Sequence, residues 1–123
     1  MVDYVKFLHQ GRRIAESARF ADGNARETLQ KAVAHFRSWP GGADFGGMNE
    51  VAEIMLRKGF VKDAINVFDE TGNDARLEEL LGNRKISKED KETILLILKT
   101  RPYAEFTNFK PEPEKKISIP VER

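Results

Sequence analysis

Apolar and polar residues alternate along most of the chain with the period of an α-helix. In the first segment the apolar positions include Tyr4, Phe7, Ile14 and Ala18. At about 100° per residue these side chains gather on one face of a helix. Asp3 stands where an N-cap residue is expected. The pattern therefore predicts an amphipathic helix that begins close to Asp3.

A second helix is predicted from its start signal and its apolar stripe. Asn24 and Glu27 have the spacing of a capping box. The stripe that follows consists of Leu29, Val33 and Phe36, which are spaced for one helical face. A Trp-Pro pair then ends the periodic pattern.

The second half of the chain shows three or four further short helices. A glycine-rich segment, residues 40–47, precedes the return of the helical period at Met48. The period breaks at Gly59 and restarts immediately after it. Asp74 is expected to cap a short helix, and Ser87 is expected to cap the last one.

These elements predict an all-α fold: a compact bundle of five or six short helices arranged as antiparallel helical hairpins. A length of 123 residues with 40% apolar residues suits one domain. We place this domain at residues 1–103, with sub-units 3–39 and 48–102 joined by the loop 40–47. The loop is expected to act as a hinge.

The last helix contains the longest apolar run of the chain, from Ile94 to Leu98. Five consecutive apolar residues cover most of a helix circumference, so we expect this helix to be buried at the centre. The predicted core contains Leu29, Ile65, Phe68, Leu95, Ile97 and Leu98.

Residues 104–123 are predicted to form an extended arm or linker. Prolines and charges at residues 111–116 disfavour both a helix and a packed core. Residues 117–121 alternate like one short strand without a partner. The arm would serve strand addition to a partner, exchange between two copies or docking in a groove. The alternative is a linker toward a further domain.

The amino-acid composition excludes several classes of function. The chain has 21 Lys and Arg residues and 20 Asp and Glu residues, so its formal charge is +1. A charge this close to zero indicates no particular class of partner. The chain has no cysteine, which excludes disulfides and thiolate chemistry. No apolar run is long enough to span a bilayer. We therefore expect a cytoplasmic protein without a membrane partner.

No residue set predicts a catalytic centre, a metal site or a cofactor. The two histidines, His9 and His35, have no sequence spacing that brings them to a carboxylate or nucleophile. Residues 69–80 begin like a calcium-binding loop, but Asp74 replaces the required glycine and Leu80 the bidentate glutamate. We interpret that segment as a turn and His35 as a solvated or capping residue.

Residues 49–73, NEVAEIMLRKGFVKDAINVFDETGN, resemble one unit of a helical-hairpin repeat of the pentatricopeptide or tetratricopeptide type. The resemblance covers about a fifth of the chain. It implies two packed antiparallel helices joined by a Lys-Gly turn. A repeat of this type would also imply the binding of a peptide or an RNA.

Two function hypotheses follow. The first is a non-enzymatic protein-interaction or adaptor module, alone or as one part of a larger protein or assembly, whose partner is another protein or a second copy of the chain. Its candidate partner-binding residues are Trp39, Phe45, Phe106, Phe109, Ile117, Ile119 and Val121. The alternative is a helical DNA- or RNA-binding domain that uses clustered basic residues, namely Arg12, Arg13, Arg19, Arg84, Lys85 and Lys88.

Overall fold

The structure, a computed structural model, describes residues 3–19 and 23–101. Within these residues the protein is all-α, as predicted, with six helices and no strand. The helices are α1 (Tyr4–Ser17), α2 (Ala25–Arg37), α3 (Phe45–Arg57), α4 (Val61–Glu70), α5 (Asp74–Leu81) and α6 (Lys88–Lys99). None of these helices has the length and apolar content needed to cross a lipid bilayer.

The described residues divide into two compact units, one within residues 1–86 and the other within residues 87–123. The first unit contains α1 to α5 and the second contains α6. In the first unit each helix packs against the next one along the chain, and α1 also contacts α3. The α2–α3 packing therefore spans the glycine-rich loop.

Helix starts follow the predicted signals in most cases. The Asp3 side chain accepts a hydrogen bond from the Val5 amide at 2.9 Å, and the Ser87 hydroxyl accepts one from the Asp90 amide at 3.1 Å. Both predicted N-caps are therefore confirmed. Asn24 is the N-cap residue of α2 but makes no side-chain capping bond.

Two predicted helix starts were wrong by a few residues. The cap of α5 is Asn73, whose side chain accepts the Arg76 amide at 3.2 Å, and Asp74 is already helical. α3 begins at Phe45, because the Asp44 carboxylate caps it by accepting the Gly47 amide at 3.1 Å. The cap offsets part of the roughly 1 kcal/mol by which each helical glycine is disfavoured.

α3 and α4 form the helical hairpin that the repeat resemblance implies. The turn between them is Lys58-Gly59-Phe60, and Gly59 has a φ of +89°, a conformation that favours glycine. The turn allows the second helix to begin at Val61, as the sequence predicts.

The core of the first unit consists of one apolar stripe from each helix. Leu29, Ile65 and Phe68 are fully buried, as predicted. The other large side chains that are fully buried in this unit are Phe36, Met48, Val51, Met55, Leu77 and Leu80.

α6 differs from its prediction as a buried central helix. Ile94 is fully buried, but Leu95 and Leu96 are 54% and 63% exposed, and Ile97 and Leu98 are half-buried. Five successive side chains point in five directions about 100° apart. Burying all five therefore requires neighbours around the whole circumference of the helix.

Candidate binding surface

Aromatic side chains gather at the beginning of α1. The rings of Tyr4 and Trp39 meet edge to face with centroids 5.1 Å apart, and Phe7 lies 4.6 Å from Trp39. The Tyr4 hydroxyl donates a 2.8 Å hydrogen bond to the Asp44 carboxylate, directly before α3. That carboxylate raises the pKa of Tyr4. Phe45 follows Asp44 directly in the chain, and we call Tyr4, Trp39 and Phe45 the aromatic patch.

The patch contains both described residues of the predicted partner-binding set. Phe45 is 47% exposed at the first position of α3, as a binding residue requires. Trp39 is half-buried rather than exposed, because its ring packs on Tyr4 and Phe7. Tyr4, which is 43% exposed, was not predicted as a binding residue. The apolar pattern of the first segment predicted Tyr4 as part of the buried stripe of α1.

An open groove of about 570 Å³ runs between α1 and α3. Its apolar lining comes from Ala15, Val51, Ile54 and Phe36, of which Ile54 is only half-buried. The remaining residues that border it are charged: Arg12, Glu16, Arg19, Glu50, Arg57 and Lys58. We call this feature the α1–α3 groove.

Ion pairs occupy part of the groove. The Arg12 guanidinium donates to both carboxylate oxygens of Glu50, at 3.1 and 2.8 Å, which raises the pKa of Arg12. Arg12 therefore pairs across the groove to α3. Arg19, two residues after the end of α1, lies 4.0 Å from Glu16 in the last turn of that helix.

Phe36 sets the spacing of the two helices that form the groove. Its ring is fully buried between Gly11 of α1 and Gly47 of α3. A Cβ atom at either glycine would overlap the ring. The absence of both side chains therefore lets α1 and α3 approach the same aromatic ring. Neither glycine was predicted to pack against Phe36, although Gly11 inside a helical pattern signals close packing.

The other predicted basic residues lie elsewhere. Arg13 borders a separate shallow depression together with Gln10, Ile14, Ser17 and His35. Arg84 and Lys85 lie in the segment after α5, and Lys88 is the first residue of α6. All three are exposed, and none of them lines the α1–α3 groove. Arg57 and Lys58 line it instead.

The sequence predicted a solvated or capping His35, but the side chain does not project into solvent. Its ring stacks on Phe7 with centroids 4.2 Å apart, and its Nε2 lies 2.7 Å from the Phe7 carbonyl oxygen. Since a carbonyl only accepts, Nε2 carries a proton and donates it. His35 thus joins α2 to α1, whereas His9 is exposed.

The calcium-like segment, residues 69–80, contains the end of α4, a turn at residues 71–73 and most of α5. The Thr71 hydroxyl donates to the Asn49 side-chain oxygen at 3.0 Å, and the Asn73 amide donates to the same oxygen at 3.4 Å. These bonds tie the turn to α3. Residues 3–19 and 23–101 contain no group of three or more His, Asp or Glu residues placed to hold a metal ion.

The predicted arm, with Phe106, Phe109, Ile117, Ile119 and Val121, lies outside the described residues. Its role stays a prediction. Comparisons of the chain with protein-family models, with curated proteins and with solved structures found no match.

Proposed function

We propose that this chain is a helical protein-interaction module and that its binding surface is the face shared by α1 and α3. The observation that carries the proposal is the exposure of large apolar side chains where these two helices begin. Five large apolar residues are exposed in the described part of the chain, and three of them are Tyr4, Val5 and Phe45. Exposed aromatic residues beside a groove are typical of surfaces that bind other proteins.

The histidines support an adaptor role rather than a catalytic one. The Nε2 of His35 is occupied by the Phe7 carbonyl oxygen, 2.7 Å away. A general acid or base must instead have its titrating nitrogen within hydrogen-bond reach of the substrate. The protein would act by bringing another molecule to a fixed position.

The test is affinity capture from the native host with three proteins: the wild type, Phe45→Ser and Leu96→Ser. Both substitutions remove an exposed large apolar side chain, but only Phe45 belongs to the aromatic patch. We expect the wild type and Leu96→Ser to retain the same partner and Phe45→Ser to lose it. Equal capture by all three proteins, or no specific capture by the wild type, would contradict the proposal.

Nucleic-acid binding is the second candidate function. The observation that favours it is a set of four cations along one groove. Arg12 and Arg19 lie on the α1 side, and Arg57 and Lys58 lie on the α3 side. Phosphate binding by these side chains predicts steep weakening with salt. A gel-shift titration at two salt concentrations tests this candidate, and the lack of any complex at micromolar protein would remove it.

A further inference from the structure

The α1–α3 groove has an excess of positive charge, although α3 lies in an acidic part of the chain. Residues 41–82 contain 4 basic and 9 acidic residues. Two of those four basic residues, Arg57 and Lys58, are neighbours at the end of α3 and border the groove. The groove as a whole has four cationic and two anionic side chains along its border.

The free positive charge is concentrated at one end of the groove. Arg12 is held by Glu50 through two hydrogen bonds, so it is largely neutralised. Arg57 and Lys58 are exposed and make no ion pair with the described residues. Both also lie near the C-terminus of α3, where the helix dipole favours cations. Two adjacent cations are therefore available to an acidic ligand without breaking an existing pair.

We propose that the α1–α3 groove binds an acidic segment of a partner polypeptide, with carboxylates of that segment paired to Arg57 and Lys58. The inference rests on the proposed function and names the chemistry of the partner. Charge complementarity selects this occupant, because a carboxylate is the group that unpaired guanidinium and ammonium groups bind through charge-assisted hydrogen bonds.

A polypeptide fits the groove better than a nucleic acid does. A duplex carries one negative charge per roughly 1.7 Å along its axis, so it would place phosphates beside Glu16 and Glu50 as well as beside the cations. A peptide backbone offers N–H donors that those two carboxylates accept. Its apolar side chains also contact the half-buried Ile54 in the groove lining.

The test measures fluorescence anisotropy of a labelled twelve-residue peptide of repeating Glu-Leu-Glu-Ser with the full chain. We expect saturable binding that weakens about tenfold when Arg57→Gln and Lys58→Gln are combined, which corresponds to the loss of two exposed charge contacts. A peptide with lysine in place of glutamate should not bind.

The matched control combines Lys6→Gln and Lys31→Gln. It lowers the net charge by the same amount at two exposed helical positions outside the groove lining. We expect this variant to bind the acidic peptide within twofold of the wild type. Equal weakening by both double variants would show attraction by net charge alone and would overturn the proposal.

Two further outcomes separate this inference from the proposed function. If the acidic peptide does not bind but Phe45→Ser still abolishes capture of a partner, the binding surface stands and the acidic chemistry is wrong. If a labelled twenty-nucleotide single strand of thymidylate binds in place of the peptide, and the Arg57 and Lys58 substitutions weaken it, the groove is a nucleic-acid site.

Discussion

The packing around Phe36 depends on the absence of a Cβ atom at two glycines. Its ring lies between Gly11 and Gly47, on the two helices that flank α2. Glycine in a helix interior is disfavoured by about 0.5–1 kcal/mol relative to alanine. Here the close approach of two helices to one ring compensates for that loss, because the buried aromatic surface contacts both backbones.

We expect Gly47→Ala to destabilise the protein by about 1–3 kcal/mol, because the new Cβ overlaps the Phe36 ring and overpacks the core. The control is Gly46→Ala, one position earlier in the same helix. A Cβ there meets only the Asp44 carboxylate at 3.5 Å, an ordinary contact. Urea unfolding measures both variants, and equal stability of the two would show that the ring does not require the glycine.

At the scale of elements, ion pairs join helices that lie two apart along the chain. Four such pairs between the described helices are bidentate contacts between an arginine and a carboxylate. They connect α1 to α3 (Arg12–Glu50), α2 to α4 (Arg26–Asp63 and Arg37–Glu70) and α3 to α5 (Glu53–Arg76). Bidentate geometry fixes the register of the helices as well as adding stability.

The Arg37–Glu70 pair predicts a small pH dependence of stability. Both contacts between the two side chains are 2.7 Å, and they hold the pKa of Glu70 below its ordinary value of about 4.3. A lowered folded-state pKa contributes stability that is present above the unfolded value and is lost as the pH falls through the folded one. Since the side chains are 49% and 38% exposed, we expect at most about 0.5 kcal/mol.

Urea unfolding of the wild type and Glu70→Gln at pH 7 and pH 3 measures this contribution. We expect the difference between them at pH 7 to shrink as the pH falls toward 3, because protonation removes the charge of the wild-type carboxylate. Arg37→Gln is the matched partner variant and should show the same convergence. A constant difference at both pH values would indicate that packing, and not charge, accounts for it.

At the scale of the whole molecule, the described helices of residues 1–86 form a unit with its own apolar core. Each of its five helices contributes fully buried side chains or close backbone contacts to that core. A set of elements that buries its apolar faces internally is expected to fold as one cooperative unit.

We therefore expect a protein of residues 1–86 to unfold in a single urea transition. Trp39 is the only tryptophan, so its fluorescence reports on the end of the unit where α1 and α2 meet, while far-UV circular dichroism reports on all helices. The two probes should give coincident curves. Separate transitions would show that the unit does not fold cooperatively without residues 87–123.

The sequence by itself determined the six helices, the N-cap residues of three of them and the apolar stripes that form the core of the first unit. These features are local, because helix period, capping and turn chemistry act over about four residues. Only tertiary structure decided the exposure of Leu95, the use of Gly47 against Phe36 and the meeting of Arg12 with Glu50, 38 residues away. Each of those depends on which distant helix lies alongside, and periodicity along one helix does not specify its neighbour.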